Sequence, residues 1–142
     1  MTVQQACEYL MGQDEILILC HQSPDGDTLG SGFGLYYALR ALGKQAKVDC
    51  YAPIPHQVSF LLPEQLPDFA PQCVVAVDIA DTQLLGSKLS CWADQVDLCI
   101  DHHPSNRGYA QRTLLRAEAA APAEIMIEVI HGMGLKPDKK IA

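Results

Sequence analysis

The sequence predicts an α/β domain built on a doubly wound, mostly parallel sheet with helices on both faces. Three observations carry this reading. Short apolar runs alternate with helical stretches, the runs are nearly unbroken, and reactive polar residues stand directly after three of them. A strand covered on both faces needs apolar side chains pointing both ways, so an unbroken run of Ile, Val, Leu and Cys reads as a buried parallel strand.

Four such runs lie at 15–20 (EILILC), 46–51 (AKVDCY), 73–77 (CVVAV) and 96–100 (VDLCI). Helical segments are expected at about 2–12, 28–43, 83–93 and 120–134. Within 28–43, Leu29, Phe33 and Tyr36 recur at helical spacing, as do Leu35, Leu39 and Leu42, and Gly43 supplies a stop. Residues 52–71 hold five prolines and read as a loop-rich crossover with room for one short helix. No internal repeat is present.

A chain of 142 residues is one domain's worth. With 49% of residues hydrophobic and 19% charged, it has the composition of a globular protein, not a disordered one. No apolar run approaches the roughly 18–20 residues of a membrane span, and the N-terminus lacks the basic-then-apolar pattern of a signal peptide. The expectation is a cytoplasmic protein that does not engage a membrane. The six cysteines include no C-x-x-C pair. Cys20, Cys50, Cys73 and Cys99 lie in or beside the strand-like runs, which predicts buried free thiols in a reducing compartment. Ten basic against seventeen acidic residues, a net charge of −7, argue against holding long duplex nucleic acid by phosphate contacts. A small anionic substrate fits if metal ions supply the positive charge.

The polar residues concentrate at strand ends. His21, Asp25 and Asp27 crowd the stretch HQSPDGDTLGSG behind the first run, Asp78 follows CVVAV, and Asp101, His102 and His103 follow VDLCI. In open parallel sheets, ligands bind beyond the carboxyl ends of the strands. Each piece alone has an ordinary reading. PDGD is turn vocabulary and lacks the D-x-D-x-D-G order of a calcium loop. Asp78 could cap a helix, with Asp81 as the rival cap, and a His-His pair could be a satisfied polar turn. Together they bring several carboxylates and three imidazoles to one sheet edge, where like charges repel without a counter-charge. Divalent cations resolve that repulsion. Oxygen donors with some imidazole and no thiolate point to Mn²⁺ or Mg²⁺ before Zn²⁺. Two such ions, ~3.5–4 Å apart, form a common apparatus for phosphoryl ester hydrolysis. Thr28, Gly30 and Ser31, opening the next helix, add N–H donors for the same anion.

His21-x-x-x-Asp25-x-Asp27, the isolated strand-end Asp78 and Asp101-His102-His103 resemble the first three motifs of the DHH phosphoesterases. The wording HQSPDGDTLGSG followed by IDHHPSN is most similar to the branch that degrades very short oligoribonucleotides and removes phosphate from 3′-phosphoadenosine 5′-phosphate. The match runs from about residue 1 to 134. The resemblance implies one metal site of His21, Asp25 and Asp78, and a second of Asp27, His102 and a bridging Asp78. It implies that His103 faces the scissile phosphate as a hydrogen-bond or proton donor, with Asp101 behind an imidazole fixing its tautomer. Ser31, Asn106 and Arg107 are the further substrate contacts it suggests.

The sequence departs from that family in three places. Residues 119–124 read AAAPAE where members carry a Ser-Ser-Thr-like stretch before the helix near Glu124. No later-strand aspartate matches the fourth motif, Asp138 standing too early, and the glycine-rich C-terminal domain is absent. The closing LKPDKKIA reads as a new element just begun, with Pro137 in its first turn and Ile141 and Ala142 starting its apolar face. Residues 1–142 are therefore expected to be a DHH catalytic domain truncated before the fourth motif and the substrate-binding domain.

The expected function is two-metal hydrolysis of short oligoribonucleotides, of 3′-phosphoadenosine 5′-phosphate, or of both, with homodimerisation left open. Two alternatives keep the fold: an inorganic pyrophosphatase or exopolyphosphatase, and a non-catalytic nucleotide-sensing module. A response-regulator receiver is more distant, since adjacent His102 and His103 are foreign to its acidic pocket.

Overall fold

In a computed structural model of the chain, residues 2–19, 26–49, 71–79, 81, 92–106, 108–116, 118 and 122–134 are described. Helix α1 (Val3–Met11) starts from a reciprocal cap. The Thr2 hydroxyl accepts the Gln5 N–H at 3.1 Å, and the Gln5 side chain accepts the Thr2 N–H at 2.8 Å. Then follow β1 (Ile16–Leu19), α2 (Gly26–Ala41), β2 (Ala46–Asp49), β3 (Cys73–Val77), β4 (Leu98–Asp101), β5 (Arg112–Leu115) and α3 (Pro122–Gly132).

The five strands form one sheet in the order β2-β1-β3-β4-β5, and every neighbouring pair is parallel. The chain moves outward from β1 to β2, returns past β1 to β3, and continues to β4 and β5. Helix α2, between β1 and β2, packs in one core, and Trp92, Ala93 and Val96, which precede β4, pack in the other, as in a doubly wound arrangement. The reversal falls between β1 and β3. In open parallel sheets, ligands bind at the carboxyl ends beside such a reversal.

Alternation along the strands explains the unbroken apolar runs. Ile16, Ile18, Val75, Val77, Ile100 and Leu114 belong to a core with Ala6 and Leu10 of α1, Leu35 and Leu39 of α2, and Ile125 and Val129 of α3. Leu17, Leu19, Val74, Ala76 and Cys99 point the other way, into a second core with Ile79 and Val96, against which Trp92 and Tyr109 pack. A charge at any of these strand positions would be buried on one face or the other. Only the strand ends can carry the polar residues.

Most elements fall within two residues of the sequence reading. One shift matters: α2 begins at Gly26, so Asp27 lies in its first turn. A second is that β4 runs to Asp101, making that carboxylate the strand's last residue and not the first of the loop. Strand β5 was not anticipated. It is a sheet edge, with Arg112 and Leu115 exposed and only Leu114 fully buried, so it lacks the apolar run that marks the inner strands. The helix expected at 83–93 falls outside the described residues except for Trp92 and Ala93, and the crossover at 52–71 and the end at 135–142 fall outside them too. Cys7, Cys73 and Cys99 are buried free thiols, as the pattern predicted for the latter two. No described helix is long and apolar enough to cross a membrane.

Candidate metal centre at the carboxyl edge of the sheet

Strands β3 and β4 finish side by side, and the site is built on those two ends. The Asp78 N–H donates to the Ile100 carbonyl at 2.9 Å, carrying the ladder one residue beyond β3. At Asp78 the backbone enters the left-handed region, with φ 63°. Aspartate tolerates this conformation better than most residues, although it remains costly for any L side chain. The result brings Asp78 Oδ1 to 3.2 Å from His102 Nε2 and 3.6 Å from His103 Nδ1.

Asp101 ends β4 fully buried, at 0% exposure. Its Oδ1 accepts the His102 N–H at 2.8 Å and lies 2.6 Å from His103 Nδ1, while Oδ2 accepts Asn106 Nδ2 at 2.9 Å. Three donors converge on one buried carboxyl, as removal of such a group from water demands. With that carboxyl as acceptor, the His103 proton sits on Nδ1, and Nε2 is left as the outward ring atom. The two imidazoles lie 4.4 Å apart between centroids, tilted by 46°.

One donor atom from each of Asp78, Asp101, His102 and His103 can be chosen so that all four lie within 4.8 Å of one another. Exposure is graded across them: His103 is 40% exposed, His102 21% and Asp78 15%. The set thus has a buried floor and an open mouth. Two carboxyls and two imidazoles at this spacing fit a divalent cation by donor chemistry and by charge. Beneath the floor, burial pushes the Cys99 thiol up to about 11, against hydrogen-bond contacts with Tyr109 and Asn106 that pull it down. It is a protonated thiol and adds no thiolate to the set.

The structure brings together Asp78, Asp101, His102 and His103 of the residues expected at the site. Asn106 lies beside them with its carboxamide on Asp101. Asp27 and Ser31 are placed on α2, in its first turns, but their side chains are not among those described. His21, Asp25 and Arg107 lie outside the described residues. Sequence reasoning missed Tyr109. Its hydroxyl donates to the Ile79 carbonyl at 2.6 Å and lies 3.5 Å from Cys99 Sγ, bracing the segment just after Asp78 against the floor below Asp101. Burial raises its phenol far above the ordinary range. No spacing rule links a tyrosine in one loop to a carbonyl in another, so the sequence held no signal for it.

The model of the DHH family, N-terminal domain, matches residues 15–142. The chain is 32% identical over 134 residues to a bifunctional oligoribonuclease and PAP phosphatase, NrnA, of Thermus thermophilus, covering 89% of this chain and 40% of that protein. It is 24% identical over 144 residues to an uncharacterized protein of Methanocaldococcus jannaschii, covering 94% of this chain and 44% of that one. The chain thus spans less than half the length of the curated relatives it matches. Among solved structures, an exopolyphosphatase-related protein from Bacteroides fragilis superposes with a TM-score of 0.79 at 22% identity. That match covers 93% of this chain and 43% of the other, and it shows the shared fold.

Proposed function

The chain belongs to the DHH family as its N-terminal domain, and from that premise we propose that it forms the metal-binding half of a phosphoesterase acting on very short oligoribonucleotides and on 3′-phosphoadenosine 5′-phosphate. The observation that carries the reading is the convergence of Asp78, Asp101, His102 and His103 at the end of two adjacent parallel strands. The choice of substrate follows the Thermus thermophilus relative, whose name records both activities.

In this reading Asp78 and His102 hold Mn²⁺ or Mg²⁺, together with His21 and Asp25, which precede α2, and Asp27 in its first turn. A bound divalent ion supplies charge that polarises phosphoryl oxygens and lowers the pKa of water. The protein's own groups do the rest. Asp101 holds the His103 ring by Nδ1, leaving Nε2 to the open mouth; when the ring carries its second proton there, Nε2–H can donate a hydrogen bond or that proton to a phosphoryl or leaving oxygen. Because Asp101 is fully buried, its contact with His103 Nδ1 is made from the closed side of the ring. Ser31, near the start of α2, and the N–H groups of that helix's first turn are further contacts for an anion.

The test is hydrolysis of a ribodinucleotide, 3′-phosphoadenosine 5′-phosphate and inorganic pyrophosphate side by side, with Mn²⁺, with Mg²⁺ and with chelator. Metal-dependent turnover of the first two supports the reading. Turnover of pyrophosphate alone, or of none of the three, would overturn it.

A further inference from the structure

We propose that Asn106 is a positioning residue of this centre, fixing Asp101 and through it the His103 ring, and that it makes no direct contact with substrate. The inference rests on the phosphoesterase reading for its kinetic consequence, but its structural core stands on the hydrogen bonds of Asn106 alone.

A carboxamide has two N–H donors and one oxygen acceptor. One Nδ2 hydrogen goes to Asp101 Oδ2 at 2.9 Å and the other toward Cys99 Sγ at 3.5 Å. The Oδ1 atom accepts the Gly108 N–H at 2.8 Å. The orientation of the amide is therefore determined. Rotating it by half a turn would set its oxygen against the Asp101 carboxyl and its NH₂ against the Gly108 N–H, two repulsive contacts in place of two attractive ones.

Both donors are thus spent inside the protein. A phosphate oxygen can only accept, so it would need one of those same hydrogens, and the buried Asp101 would lose a donor to provide it. The loop is shaped to keep Asn106 where it is. The Asn106 N–H donates back to the His103 carbonyl at 3.1 Å, and Gly108 turns with φ 67° so that its own N–H meets the Asn106 oxygen. One side chain therefore ties the loop after β4 to the carboxyl at the end of that strand. Asp101 Oδ2 is held by Asn106, Oδ1 is left to His102 and His103, and His103 Nε2 is aimed outward.

The experiment compares the protein with its Asn106→Ala variant. Nitrogen-15 NMR of the imidazoles in chelator reads the His103 tautomer without metal or substrate. The wild-type ring should be held as the Nδ1–H tautomer, and the variant should show a mixture of tautomers. With metal and 3′-phosphoadenosine 5′-phosphate, kcat should fall by roughly 10–100-fold while KM changes little, as for loss of a group supporting a site residue. An unchanged His103 signal together with a raised KM and unchanged kcat would make Asn106 a substrate contact and overturn the proposal. If Asn106→Ala does not fold, Asn106→Ser is read the same way, because its hydroxyl is too short to span to Asp101 Oδ2. Inactive protein of both kinds with the predicted imidazole signals would overturn the phosphoesterase reading and leave the positioning role supported.

Discussion

Asp101 Oδ1 and His103 Nδ1 lie 2.6 Å apart, and this contact joins the most buried acid of the molecule's candidate centre to its most exposed imidazole. The pair lies within a three-residue stretch of sequence, yet its two ends meet different environments. The acid end is sealed under the sheet edge. The imidazole end opens to the mouth where a substrate would arrive.

Replacing Asp101 with Asn tests that coupling. An amide keeps the volume but removes the charge that stabilises a proton on His103, and it can present NH₂ where an acceptor is needed. The expected outcome is a fall in kcat of roughly 10–100-fold with little change in KM. Phosphate-release kinetics at saturating metal measure it. A variant with wild-type kcat would mean that His103 works without its partner.

Asp78 faces two imidazoles and shares the cluster with Asp101, so without metal two carboxyls are crowded at one sheet edge. Asp78→Asn keeps a residue that tolerates the left-handed φ of 63° while removing one charge. In chelator, the variant should be more stable than the parent by roughly 1–2 kcal/mol, from relief of carboxylate repulsion. With Mn²⁺ the order should reverse, because the parent gains binding energy that the variant largely loses. Melting curves in chelator and in Mn²⁺ decide this. A lower metal-free melting temperature for Asp78→Asn would count against the crowding argument.

What could be read from sequence follows from burial. Strands β1, β3 and β4 lie inside the sheet, and burial on both faces leaves unbroken runs such as Cys73–Val77 that no turn or surface helix imitates. Edge strand β5 needs apolar residues on one face only, so Arg112–Leu115 carries a single buried Leu and looks like loop. The reactive residues Asp78, His102 and His103 were legible because each stands just past the end of a visible strand. The role of Asn106 was not. It depends on a loop folding back through Gly108 to set a carboxamide onto Asp101, and that closure has no period or spacing in the sequence. Tyr109, reaching the Ile79 carbonyl thirty residues earlier in the chain, is hidden for the same reason.

Packing on the opposite side of the sheet from Tyr109 gives a prediction independent of the centre. Gly132, the last residue of α3, lets that helix approach α1 so closely that a Cβ there would lie 2.5 Å from Cys7 Sγ. Cys7 is buried and its thiol donates to the Val129 carbonyl at 3.3 Å, so the sulfur has nowhere to retreat. Gly132→Ala should therefore cost about 1–3 kcal/mol, the usual range for overpacking, despite alanine's better helix propensity. Adding Cys7→Ala should restore part of the loss, a coupling that denaturant titration of the four proteins would measure. A Gly132→Ala protein as stable as the parent would show that the two helices can separate at no cost.

The last prediction concerns alkaline pH, where the buried thiols dominate. Burial raises all three described cysteines: Cys73 and Cys99 from 9.0 to about 11, and Cys7 in the same direction. For Cys73 the rise is partly offset by its hydrogen-bond contact with the Tyr9 hydroxyl, whose own phenol is raised from 10.0 to about 12 by burial and by the facing Cys73. A group with a raised folded pKa holds its proton in the native state after the unfolded chain has released it. Below pH 9 both states are protonated and these groups leave stability unchanged. Between pH 9 and 11 the unfolded chain binds fewer protons, so unfolding becomes easier as pH rises. The shifts of Cys73 and Cys99 correspond to a loss on the order of 2 kcal/mol each by pH 11. Denaturant melts from pH 8 to 11 should therefore be flat at first and then fall. In Cys99→Ala the whole curve should lie lower, because of the cavity, but its slope above pH 9 should be shallower by that thiol's share. Equal slopes in the parent and in Cys99→Ala would mean that the thiol ionises as readily in the fold as in the open chain, and that the floor beneath Asp101 is wetter than its packing implies.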